Sequence, residues 1–239
     1  MQEQCAIAVM AKAPIAGRSK TRLVPPLSPE QAARLSGAFL SDITANIALA
    51  ARDAPIDGWI AYAPSGAEPM LVPWAGPETR LVLADGNDDM PASIQGLGRC
   101  LLHAARSLFK LGYTAVCLVN SDSPTLPTTI LTQAAALLLQ DPEHVVLGPA
   151  EDGGYYLIGM GAPHPMLFAD ITWSSASVAE ETRLRTKEIG LRMTELAPWY
   201  DVDDPTSLRR LAAEIGAHPN GSEFLAPITR SCLRDFGLA

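Results

Sequence analysis

Short apolar runs that alternate with longer helix-like stretches predict an α/β fold, and three observations carry that expectation. The apolar runs are brief and continuous, as in strands covered on both faces. The stretches between them have helical patterning, and no fixed-period repeat or low-complexity linker breaks the order. Taken along the chain, the first strand runs from Cys5 to Met10, and a helix follows from Pro29 to Arg52. Its start is well marked: Ser28 can cap, Pro29 fits the first helical position, and Gln31 completes a capping box. A strand from Gly58 to Tyr62 leads into a Pro- and Gly-dense loop from Ala63 to Pro77, then a strand from Leu81 to Leu83. A helix from Met90 to Lys110 stops before Gly112 and delivers the strand Ala115 to Val119. A helix from Thr128 to Leu139 precedes the strands Val145 to Leu147 and Tyr155 to Ile158. A last helix covers Pro205 to Ile215, and loop signals gather at Ala217 to Gly221. With 239 residues, 48% of them hydrophobic, one domain over residues 1–215 is expected, followed by a tail of unassigned role over 216–239.

Charge narrows the function. The net charge is -8, yet four of the 18 Lys and Arg residues (Lys12, Arg18, Lys20 and Arg22) fall just beyond the first strand. An acidic chain with one local basic loop disfavours nucleic acid and anionic membranes as partners and suits a small anion. No run of about 18 apolar residues appears, and Glu3 stands where a basic leader would lie, so a soluble cytoplasmic protein is expected. Cys5, Cys100, Cys117 and Cys232 form no CxxC pair. His103, His144, His164 and His218 have no metal-binding spacing, so neither a zinc site nor a disulfide framework is expected.

Four segments carry the candidate chemistry. In Lys12-Ala13-Pro14-Ile15-Ala16-Gly17-Arg18-Ser19-Lys20-Thr21-Arg22-Leu23, Gly17 would let backbone N–H groups approach a phosphate that Lys20 and Arg22 neutralise; the alternative is a solvated basic loop. Asn120-Ser121-Asp122-Ser123-Pro124 follows a strand, and Asp122 either holds Mg²⁺ or Mn²⁺ or serves as a helix cap or Asx turn before the prolines. Glu151-Asp152-Gly153-Gly154-Tyr155 is either an ordinary hairpin turn or a place where backbone approaches a sugar or acceptor. Asp201-Val202-Asp203-Asp204 places three carboxylates just before the last helix, where an Asp can cap it. Asp85-Gly86-Asn87-Asp88-Asp89 lacks calcium-loop spacing and reads as a solvated turn.

In order and spacing these segments resemble the nucleotide-diphospho-sugar transferase superfamily, in particular its glycosyltransferase-like (type A fold) branch related to 2-phospholactate guanylyltransferase. The resemblance spans about Ile7 to Ile215. It rests on the basic loop, Ser121-Asp122-Ser123-Pro124, the Gly148 to Gly159 segment and Asp201-Val202-Asp203, with Trp173 in Ile171-Thr172-Trp173-Ser174 also matching. It implies a three-layer α/β/α sandwich with a mostly parallel mixed sheet. It further implies nucleotide binding by Lys12, Gly17, Lys20, Thr21 and Arg22, and a Mg²⁺ or Mn²⁺ ion on Asp122 and Asp203. Catalytic roles would fall to Asp122, Lys20 and Asp152, and Gly153, Gly154, Tyr155 and Trp173 would lie near the substrate. The chain departs from the branch at Asn120, where glycine is commoner, at Thr125, where aspartate is, and in having Ser-Asp-Ser for an aspartate pair.

The implied activity is metal-dependent transfer from an activated nucleotide to a small-molecule acceptor. Glycosyl transfer from a nucleotide-diphospho-sugar comes first. Nucleotidyl transfer to a phosphorylated or carboxylate acceptor and an inactive nucleotide-binding scaffold are the alternatives. Other signatures fail: Gly17 to Thr21 lacks the first glycine of a Walker A loop, Gly96-Leu97-Gly98 lacks the third glycine of a dinucleotide fingerprint, and no GxSxG elbow occurs.

Overall fold

The computed structural model describes residues 3–217, 224 and 226–238; His218 and most of the 217–221 loop lie outside the described residues. Strands β1 (Cys5–Lys12), β2 (Ile56–Ala63), β3 (Arg80–Leu83), β4 (Ala115–Val119), β5 (His144–Pro149), β6 (Tyr155–Met160) and β7 (Arg192–Glu195) form one sheet in the order β3-β2-β1-β4-β6-β5-β7. All neighbours are parallel except β6, which runs antiparallel to both β4 and β5. The helices are α1 (Pro29–Ala50), α2 (Glu68–Leu71), α3 (Leu97–Lys110), α4 (Thr128–Gln140), α5 (Val178–Glu188), α6 (Pro205–Ala217) and α7 (Pro227–Asp235).

The alternation of side chains along β1 divides the core. Cys5, Ile7 and Val9 face α1 and α4, where they meet Leu40, Ile43, Ile47 and Leu131. Ala6 and Ala8 face α3 and the Pro165–Phe168 turn, where they meet Leu101, Ala104, Leu108 and Phe168. Helices therefore cover both faces of a mostly parallel sheet, the three-layer arrangement that the sequence implies. The four cysteines are free thiols, with Cys5, Cys117 and Cys232 buried.

Helix α1 begins as its sequence dictates. Ser28 Oγ accepts from Gln31 N at 3.2 Å, and Ser28 N donates to Gln31 Oε1 at 2.8 Å. Three other elements differ from expectation. Helix α3 starts at Leu97 rather than near Met90, because Gly96 has φ +52 and the residues before it form a separate turn, with Ile94 N donating to Pro91 O at 3.0 Å and Ile94 bridging to Ala169. The Asp85–Asp89 turn is not simply solvated: Arg99 Nε donates to Gly86 O at 2.9 Å, and Gly86 N donates to His103 Nδ1 at 3.1 Å. The loop after β2 contains the short helix α2. Strand β7 and helix α5 are additions that the sequence reading lacks, since RMTE is a short polar edge strand and VAEETRLRTKE carries little apolar periodicity.

The C-terminal segment packs outside α1. A third apolar cluster joins Leu35 and Phe39 of α1 to Val202, Leu211 of α6 and Leu233 of α7, so α1 is covered on two sides. Asp42, buried in α1, accepts from Ile228 N at 3.0 Å and Thr229 N at 2.7 Å, the unpaired N–H groups at the start of α7. Burial pushes the Asp42 carboxyl up against the opposing pull of those bonds. Asp42→Ala strands both donors and is expected to lower stability by about 1–3 kcal/mol in urea unfolding. Asp42→Asn, which keeps an acceptor oxygen, is expected to lose less.

Candidate active site

Strand order places the site. From β1 the chain passes through α1 on one face to β2, whereas α3, on the other face, leads to β4 on the opposite side of β1. Between the carboxyl ends of β1 and β4 the connections diverge and leave a crevice, the usual ligand position in an open α/β sheet. A cavity of about 410 Å³ lies there, lined by Lys12 at the end of β1, by Arg18, Lys20, Thr21 and Arg22 from the loop after it, by Asn120 and Asp122 after β4, and by Asp203.

The loop after β1 is folded on itself. Arg18 N and Ser19 N both donate to Ile15 O, and Ser19 Oγ accepts from Ile15 N at 3.0 Å. Gly17, at φ +76, makes the reversal, a conformation that glycine adopts without steric cost. Lys20 also takes the left-handed region, at φ 49 and ψ 41, before the 3₁₀ turn Thr21–Leu23. Leu23 is fully buried in the third cluster and anchors the turn, while Thr21 and Arg22 stay exposed.

That backbone sends Lys20 inward. Its Nζ lies 2.6 Å from Asp122 Oδ1 and 2.7 Å from Asp203 Oδ1, and donates to Val202 O at 2.8 Å. The side chain is only 7% exposed, against 33% for Asp122 and 45% for Asp203. Burial by itself drives the Lys20 pKa down, but the two carboxylates outweigh it and the net shift is upward. Residues far apart in sequence thus meet on one ammonium.

The late acidic segment reaches the crevice by lying across the sheet edge. After β7, Leu196 N donates to Leu147 O, Glu151 N to Trp199 O, and Val202 N to Asp122 O at 2.9 Å. The capping role expected before α6 belongs to Asp204, whose Oδ1 accepts from Thr206 N at 2.8 Å and Ser207 N at 2.7 Å. Asp203 is left to face Lys20. Asp122 does not cap α4 either, since that helix follows Pro127 with no side-chain cap.

Two contributing residues, Asp201 and Asn46, had no role of their own in the sequence. Asp201 Oδ1 accepts from Asn120 Nδ2 at 2.7 Å and Ser123 Oγ at 2.9 Å, so one carboxylate holds both ends of the Asp122 loop. Asn46 of α1 secures the approach to α4, donating to Leu126 O at 2.7 Å and accepting from Thr128 Oγ1 at 2.6 Å. Periodicity offered no signal for Asn46, an interior helix position. Asp201 could have been singled out only as one of a run of carboxylates.

A second cavity of about 410 Å³ adjoins the first through shared residues Arg22 and Asp203, and Asp152, Asp201 and Arg210 line it. Asp152 Oδ1 accepts from Gly154 N at 2.9 Å within its turn. Glu151 is held by two Arg210 nitrogens, at 2.6 and 3.0 Å, and that contact keeps its carboxyl below the usual range. Gly153, at φ +91, packs against the Ala176 carbonyl, where a Cβ would come within 2.1 Å, and its own oxygen accepts from Ala179 N. Tyr155 and Trp173 meet edge to face, with ring centres 6.4 Å apart, within the second core cluster. Neither these two nor Gly153 and Gly154 line the two cavities.

Among the described residues no group of three or more His, Cys, Asp or Glu side chains converges as a metal cluster, and no helix is long and apolar enough to cross a membrane.

The strand order and the helices on both faces of the sheet define an α/β fold of the nucleotide-diphospho-sugar transferase type. Over 99% of its length the chain is 28% identical, with a TM-score of 0.80 and 96% of the other chain covered, to a crystal structure from Desulfovibrio desulfuricans G20 provisionally described as a nucleotide-diphospho-sugar transferase. At 14% identity and a TM-score of 0.56 it shares the fold of a CMP:2-keto-3-deoxy-manno-octonic acid synthetase complexed with CTP, covering 90% of this chain and all of that one. At 12% identity and 0.52 it shares that of glucosyl-3-phosphoglycerate synthase from Mycobacterium tuberculosis, bound to Mn²⁺, UDP and glucosyl-3-phosphoglycerate, with 90% of this chain and 80% of that one covered. No curated protein matches. Residues 46–175 match the family model "Uncharacterized protein conserved in bacteria (DUF2064)", and the chain belongs to that family.

The Asp201 carboxylate gives a pH test. Burial is the main cause lifting it from 3.8 to about 6, with Asp122 and Asp152 adding to the rise and Ser123 and Asn120 opposing it. The folded state then holds a proton that the unfolded chain releases earlier, so stability falls as pH rises from about 4 to about 6. Asp201→Asn keeps the acceptor oxygen without the charge. Its stability relative to wild type is expected to grow by up to about 3 kcal/mol across that window in urea melts at stepped pH.

Proposed function

We propose that this protein is a transferase that uses an activated nucleotide donor, with the donor's phosphates in the crevice between β1 and β4. The observation that carries the reading is the convergence of a basic loop and two carboxylates at the switch point of the sheet. Lys12, Arg18 and Arg22 face that cavity and supply positive charge where a diphosphate gathers negative charge on leaving. The likeness to the Desulfovibrio chain favours glycosyl transfer from a nucleotide-diphospho-sugar.

Asp122 and Asp203 offer hard oxygen donors and are the residues that would hold Mg²⁺ or Mn²⁺. Such an ion would supply electrostatic stabilisation of the departing diphosphate. The protein's own groups do the rest. Asp201 and Asn46 hold the Asp122 loop in position. The adjoining cavity receives the acceptor. In this reading Asp152 takes the proton of an acceptor hydroxyl as its oxygen bonds to the sugar carbon and the bond from that carbon to the nucleoside diphosphate breaks, a role supported by its position in the adjoining cavity and by the tie of Glu151 to Arg210.

Four cations on one loop could also hold a triphosphate, which favours nucleotidyl transfer with pyrophosphate as leaving group as a second reading. A binding and turnover panel of nucleoside triphosphates and nucleotide sugars with Mg²⁺ or Mn²⁺ separates them: release of nucleoside diphosphate supports glycosyl transfer, and release of pyrophosphate supports the second. Binding of nothing in the panel sinks both.

Asp122→Asn is expected to lower kcat/KM by at least about 100-fold with little change in melting temperature. Arg22→Ala, at an exposed position, is expected to weaken donor binding about tenfold. Loss of the fold in either variant would instead assign the residue a structural role.

A further inference from the structure

We propose that the Lys20 ammonium and a divalent cation exclude one another from the Asp122–Asp203 pair, so that the protein without donor is closed to metal until an anion in the crevice draws Lys20 away. This deepens the transferase reading and rests on it for the nature of the cation site.

The ammonium has three protons, and each has an acceptor: Asp122 Oδ1, Asp203 Oδ1 and Val202 O, all within 2.8 Å. A divalent ion held by both carboxylates would lie about 2.1 Å from an oxygen of each and so would crowd the space that Nζ fills. Two cations held so close on shared oxygens repel strongly, because little solvent reaches a side chain 7% exposed. Lys20 is therefore the cation resident in this site. It also sits over the Phe39 ring, with Nζ 5.5 Å from the ring centre, a contact that a hydrated metal would not use in the same way.

Release of Lys20 needs a competing anion, and the place for one adjoins it. Lys20 lines the same cavity as Lys12, Arg18 and Arg22. Its flexible four-carbon stem lets the ammonium swing toward a phosphate held there. With Lys20 on the carboxylates, the trio carries one net negative charge. With a divalent ion in its place the carboxylates are neutralised, and the ammonium becomes a phosphate ligand. Metal and donor would then bind with positive coupling, and linkage makes that coupling reciprocal.

Mn²⁺ titrations followed by electron paramagnetic resonance test the exclusion without turnover. Wild type is expected to bind Mn²⁺ weakly when no nucleotide is present, and Lys20→Met at least about tenfold more tightly. Combining Lys20→Met with Asp122→Asn is expected to abolish the gain. A Lys20→Met protein no tighter than wild type, or a gain that survives Asp122→Asn, overturns the proposal. Thermal melts check folding, and Lys20→Gln carries the same comparison should the methionine variant fail to fold. UDP, CTP and GTP titrated into wild type with Mn²⁺ keep the two readings apart. Nucleotide binding with no gain in Lys20→Met defeats the exclusion alone; absence of nucleotide binding defeats the transferase reading, and the Mn²⁺ comparison still decides the exclusion.

Discussion

The three-way contact of Lys20 with Asp122 and Asp203 is the constraint around which the crevice is built. Two carboxylates at neighbouring loop ends would repel one another across a narrow gap, and each would pull in water. A single buried ammonium removes both problems, and its third proton satisfies the Val202 carbonyl. Such clusters contribute little net stability, because removing an ammonium from water is costly. What the contact specifies is register: the loop after β1, the loop after β4 and the segment before α6 must all arrive at one point.

Supporting groups are arranged to make that arrival possible. Leu23, buried in the third cluster, fixes the turn from which Lys20 points inward. Asp201 ties Asn120 to Ser123, and Asn46 reaches from α1 to the Leu126 carbonyl, so the loop bearing Asp122 is held from two sides. The chain after β7 lies across the carboxyl ends of β5 and β4 through backbone bonds from Leu196, Trp199 and Val202, with Asp201 adding side-chain bonds to the Asp122 loop. Asp204 then caps α6 and Asp203 does not.

Much of the scaffold was legible because its signals are local. The continuous apolar runs at β1 and β4 mark strands buried on both faces, and Ser28-Pro29-Glu30-Gln31 marks the start of α1 through bonds made within one turn. The misses share a cause in the opposite sense. Pro91 and Gly96 break the start of α3 inside an otherwise helical pattern, whereas β7 is a strand only because β5 offers it an edge. The acidic run 85–89 reads as solvent-facing until His103 and Arg99 of α3 are brought against it.

The sequence by itself determined the α/β alternation, the basic loop beyond β1 and the strand-end carboxylate Asp122, since each depends on residues adjacent in the chain. The tertiary structure alone decided that Lys20 rather than Arg22 is the buried cation between Asp122 and Asp203, and that Asn46 and Asp201 hold the site. Those outcomes depend on strand order and on burial, which bring together groups separated by most of the chain, and charge pairing becomes selective only once water has been displaced from between them.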